Sequence, residues 1–221
     1  MARMARMSSP HDQASMTDPR MPSAARANRA IGAMFFSAFG TAWLAWGDVT
    51  ARGGRDGTLV AIIIAGVALF AAAWRRFQAN RSARAAVADT PRARRVRRVF
   101  HAVDAGQWVL IFVLANVLDS AGLGQWVVPM VIAIVGAHFL PLAAVMGYRP
   151  HYASGLALLA LAAVYPFVAA AGPLSAAGPL GAGLILWASA AWALRAGART
   201  GRTDEHGITD IAAGSAPSSR T

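Results

Sequence analysis

The chain contains no cysteine, no lysine and a single glutamate, Glu205. Without cysteine there are no disulfides, no thiolate metal sites and no cysteine nucleophile, and nothing is learned about redox compartment. Without lysine, every strongly basic side chain is an arginine. With one glutamate, paired-carboxylate chemistry would fall to aspartates, and Asp104 and Asp119 mark opposite ends of one apolar segment. Charge of either sign is scarce, at 14% of residues. A soluble domain carries about a quarter. No glycine-rich phosphate loop, no Ser-His-Asp order and no His-Glu-x-x-His motif is present. No cofactor is implied.

What the chain has is apolar length. Over its 221 residues, 56% are hydrophobic and mean hydropathy is +0.43, so the solvent for most of its surface is a lipid bilayer. The expected fold is all-α: a polytopic bundle of six transmembrane helices, with spans at about 31–47, 58–74, 102–121, 125–147, 152–171 and 174–194. Residues 1–30 lack apolar periodicity and read as a disordered tail, with Met16 and Met21 as alternative starts. Because the first apolar run is one of several, a cleaved signal peptide is not expected. Residues 196–221 read as a mobile polar tail.

The formal charge of +11 could suggest nucleic acid, but the arginines crowd between apolar runs. The densest stretch, 75–101, holds nine arginines against Asp89. Such asymmetry is the positive-inside pattern, which places both termini in the cytosol, and no nucleic-acid partner is expected. Thr90-Pro91 divides that stretch into halves, each expected to form a short surface helix. Abundant Ala, Gly, Pro and Arg without lysine suggests a GC-rich bacterial genome, hence a bacterial inner membrane.

Packing signals are local. Ala33, Ser37, Thr41 and Ala45 recur every fourth position, a small-residue stripe where a second helix can approach. Gly122-Leu123-Gly124 makes the third and fourth spans an antiparallel pair. Near-duplicate hexamers, AAGPLS at 170–175 and AAGPLG at 176–181, put one proline in a turn and the other in the first turn of the last helix.

The candidate site centres on His138, near mid-bilayer, where ionisable groups normally face the protein interior. Pro141 is expected to kink the helix beside it. Asn116, Asp119, Gln107 and Tyr165 complete a candidate polar path, with Asn116 or Tyr165 as hydrogen-bond partner of the imidazole. Asp104 is placed too near an interface to reach it. The competing reading makes these residues interhelical packing glue. His101, Asp104 and His151 share one interface, but their spacing matches no zinc motif, and no metal is expected.

The Gly-x-His-Phe-x-Pro-Leu-Ala stretch from Gly136 to Ala143, with the following Tyr and Pro-x-Tyr, resembles a family of small bacterial membrane proteins of no assigned activity. The resemblance runs from about Gln107 to Tyr152 and implies a six-helix plan. Two functions fit: a small transport or permeation unit, as a homo-oligomer or with a membrane partner, or a non-catalytic scaffold subunit. An enzyme lacks any reactive constellation.

Overall fold

The computed structural model describes residues 20–87, 91–146 and 148–214, with side chains over 23–85, 91, 94–146 and 148–196. Among these the fold is all-helical and without strands. The helices are α1 (Arg20–Arg52), α2 (Gly57–Val87), α3 (Pro91–Ser120), α4 (Val127–Met146), α5 (Pro150–Val168) and α6 (Ala177–Gly214). Short 3-10 turns, Gly124–Trp126 and Gly172–Leu174, lead into α4 and α6. All six helices contain stretches long and apolar enough to cross a membrane.

Several helices overrun their expected boundaries. The 33 residues of α1 reach about 50 Å at helical rise, well beyond a bilayer core of about 30 Å. Its first turns, expected to be disordered, bury Ala24, Ala27 and Ala30. They are tied to α2 by hydrogen bonds from Arg26 to Asn80 (3.4 Å) and from Arg84 to Asn28 (3.0 Å). A partner helix thus supplies the order that the local sequence lacks. The arginine-rich halves flanking Thr90-Pro91 are helical, yet they prolong α2 and α3 and do not form separate surface helices. Nothing between Gly66 and Val87 breaks a helix, and Pro91 then opens the next one, where a missing N–H costs least. Helix α6 continues to Gly214, past the expected end at 194, and no proline follows Pro179 until Pro217. The remaining tail residues, 1–19 and 215–221, lie outside the described residues.

The helices sort into two units of three. In the first, α1 packs along α2 and α6. Gly40 and Gly183 face each other so closely that a Cβ on Gly183 would stand 2.8 Å from the Gly40 carbonyl oxygen. The small-residue stripe of α1 lies at this junction. Ser37 is fully buried, and Thr41 presses on Gly66 of α2 while accepting a hydrogen bond from the Trp187 indole of α6 (3.2 Å). In the second unit, α4 and α5 cross at Gly136 and Gly155, with backbone almost touching backbone. Helix α3 is laid chiefly against α4, and no residue of its apolar window is fully buried. Pro173 falls in the 3-10 turn and Pro179 in the first turn of α6, as the hexamer spacing predicts.

The units meet along a seam formed by α5 against α6 and by Phe36 of α1 against Phe139 of α4 (ring centroids 5.4 Å). Ile132, Leu158, Tyr165, Ala182 and Leu186 fill the half of the seam remote from the arginines.

Candidate functional site

The arginine-rich half of the seam is where ionisable and aromatic groups converge. Pro150 opens α5 and places His151 in its first turn, on the face that continues through Ser154, Gly155 and Leu158, all buried. The His151 ring is 8% exposed and lies among three aromatics. It stacks on Phe139 (5.8 Å, 21° between planes) and meets Phe36 (5.6 Å) and Tyr148 (4.9 Å) edge-on. The Arg29 guanidinium covers the other side of this cluster, 5.7 Å from the centre of the Tyr148 ring, a cation–π geometry. Burial pushes the Tyr148 phenol up from its ordinary range, against a smaller opposing pull from Arg29.

One turn further along, Ser154 reaches across the seam to Ser189 of α6, with the hydroxyl oxygens 2.7 Å apart. Each hydroxyl also has a backbone carbonyl in range, Pro150 for Ser154 (3.2 Å) and Ile185 for Ser189 (2.8 Å). With one proton per hydroxyl, only two of the three bonds form at once. The shorter Ser189 bond to Ile185 leaves Ser154 as the donor across the seam.

His138 sits half-buried between α3 and α4. Its ring meets that of Phe139 edge-on (centroids 5.9 Å). Asp104 makes neither a hydrogen bond nor an ion pair with the imidazole, as its expected distance from His138 implies. Gln107, one turn from Val103, is half-buried against α4.

Four buried polar atoms in this region lack a partner: His138 Nδ1, His151 Nδ1, Tyr148 Oη and Gln107 Oε1. Buried polar groups are normally paired, so these atoms, two beside the seam on Tyr148 and His151 and two on α3 and α4, are the main chemical feature of this half of the fold.

The rest of the expected path is not assembled here. Asn116 is exposed on the outward face of α3 and donates to the Phe112 carbonyl (2.7 Å). Tyr165 is buried in the apolar half, donating to the Pro173 carbonyl (3.2 Å) with its ring against Gly178. Neither bonds His138. Asp119 is exposed beside Gly124, at the end of α3. Pro141 lies inside α4, which runs through it from Val127 to Met146. Among the described residues, no three His, Asp or Glu side chains are grouped to hold a metal ion.

Two buried groups escaped the sequence reading. His151 was placed at the interface, although Pro150 and the 151-154-155-158 spacing mark it as part of a buried face. Asp48, expected in a loop, ends the buried stripe of α1 at i+4 from Leu44 and is fully buried. Its Oδ1 accepts from Arg52 Nε (2.8 Å), and its Oδ2 has no partner. Away from both sites, an apolar groove of about 620 Å³ opens between α3, α4 and α5, lined by Leu118, Trp126, Met130 and Ala162 among others.

No protein-family model, no curated protein and no solved structure matches the chain.

Proposed function

We propose that the protein is a small permeation unit of a bacterial inner membrane, with both termini in the cytosol. It admits a proton or a small polar solute along the seam between its two three-helix units, as far as the His138–His151 pair. The observation that carries this reading is the gathering of unpartnered buried atoms on His138, His151, Tyr148 and Gln107. Unpaired buried polar atoms are costly, and a guest carrying hydrogen-bonding groups of its own would pair them. The Ser154–Ser189 pair extends the polar track by one turn, beyond which Leu158, Leu186 and Tyr165 close it.

A scaffold subunit is the second reading, favoured by the uncovered surface of α3. Purified protein in liposomes loaded with a pH-sensitive dye separates the two. On the permeation reading, His151→Leu and His138→Leu abolish the flux seen with the parent chain while the melting temperature changes little. A parent chain that passes neither protons nor small polar solutes, with both variants merely less stable, supports the scaffold.

A further inference from the structure

Helix α3 is the least covered of the six spans. Residues Val103, Gln107, Leu114 and Leu118 turn toward α4 and are partly buried. Opposite them, Ala105, Val109, Phe112 and Asn116 recur at spacings of four, three and four, and all are exposed. That is the rhythm of a helix-packing stripe, and among the described residues nothing lies on it.

Asn116 gives the stripe its meaning. It stands one turn inside Ser120, flanked by apolar Val113, Ala115 and Val117. One amide N–H goes to the Phe112 carbonyl (2.7 Å), which leaves the second N–H and a lone pair of Oδ1 pointing off the helix. Hydrocarbon tails satisfy neither, so a lipid is a poor occupant of this face. A carboxamide is self-complementary: two of them, related by a twofold axis, can each donate to and accept from the other. In a dimer whose axis runs along the membrane normal, the two α3 helices are parallel and each residue of the stripe meets its own counterpart.

We propose that the protein forms a twofold homodimer through this face of α3, with the Asn116 amides paired across the axis and Val109 and Phe112 packed on either side. The dimer leaves the seam of each protomer untouched, so the proposal is independent of the permeation reading.

The absence of native cysteine makes the test direct. Val109→Cys, Phe112→Cys and Leu114→Cys are expressed singly, and native membranes are oxidised before denaturing electrophoresis. The expected result is disulfide-linked dimer at 109 and 112 and none at 114, which faces α4. Adding Asn116→Leu to Phe112→Cys is expected to lower the dimer yield several-fold, and the parent in lipid nanodiscs should have twice the chain mass. The proposal is overturned by a monomeric mass, by equal yields at 112 and 114, by adducts to a protein of another size, or by a yield that ignores Asn116→Leu.

Discussion

The α4–α5 crossing makes a quantitative prediction about its glycines. A Cβ placed on Gly155 would stand 2.7 Å from the Gly136 carbonyl oxygen and 3.1 Å from Phe139 Cβ. The obstacle is backbone, which cannot rotate aside, so the helices must separate. Overpacking of this kind costs about 1–3 kcal/mol, set against a gain of about 0.5–1 kcal/mol for replacing a helical glycine by alanine. The net loss for Gly155→Ala is up to about 2.5 kcal/mol, which at about 2–4 °C per kcal/mol lowers the melting temperature by up to about 10 °C. Gly106, on α3, is the control: a Cβ there meets nothing within 4 Å, so Gly106→Ala keeps only the gain and should melt slightly higher than the parent. Thermal unfolding of both variants in one detergent, followed by far-UV dichroism, reads the difference. Gly136→Ala combined with Gly155→Ala should cost less than the sum of the two, because helices already forced apart need not separate twice. A Gly155→Ala protein as stable as Gly106→Ala would refute close backbone contact at this crossing.

Thr41→Leu should destabilise by about 1–3 kcal/mol, since Thr41 is wedged against Gly66 and receives the Trp187 hydrogen bond; an unchanged melting curve would place this junction elsewhere. Cysteines at Gly54 and Arg84 test orientation: an impermeant thiol reagent added to intact cells should label the first and spare the second, and the reverse would invert the topology. The raised pKa of Tyr148 predicts stability that is intact below the ordinary phenol value of 10.0 and lost as pH rises through the higher folded value. In Tyr148→Phe, the melting temperature should therefore fall less between pH 10.0 and more alkaline buffer; an identical fall would remove Tyr148 as its source.

The number of helices was legible because six apolar runs separated by arginines, glycines and prolines leave few alternatives. Helix ends were not, since the order of Ala24 to Ala30 comes from α2, and no local window carries that information. The Thr41 junction was visible because small residues every fourth position imply close approach whatever the partner. The site was only half visible. Depth singled out His138, but depth alone does not say which side chains of the neighbouring helices face it. Rotation about the axis decides the rest. Asn116 and His138 seemed close in height, yet α3 turns Asn116 away from α4. His151 and Asp48 looked solvent-facing because they border apolar runs, while a helix that continues past the run buries them.

The way the two units are joined limits how they can move. Residues 91–168 form a continuous insert, α3 to α5, within a unit made from the two ends of the chain. Two junctions join the insert to the rest of the fold, from the end of α2 at Val87 to Pro91 and from Val168 to Ala177. They lie at opposite ends of the bundle, so the line joining them runs along the helices. Rotation about that line leaves both junctions in place, whereas tilting the insert across it would displace at least one. Any opening of the seam is thereby steered toward a swivel about the long axis of the bundle, with His151 and Ser154 sweeping sideways past Phe36 and Ser189 at nearly constant height.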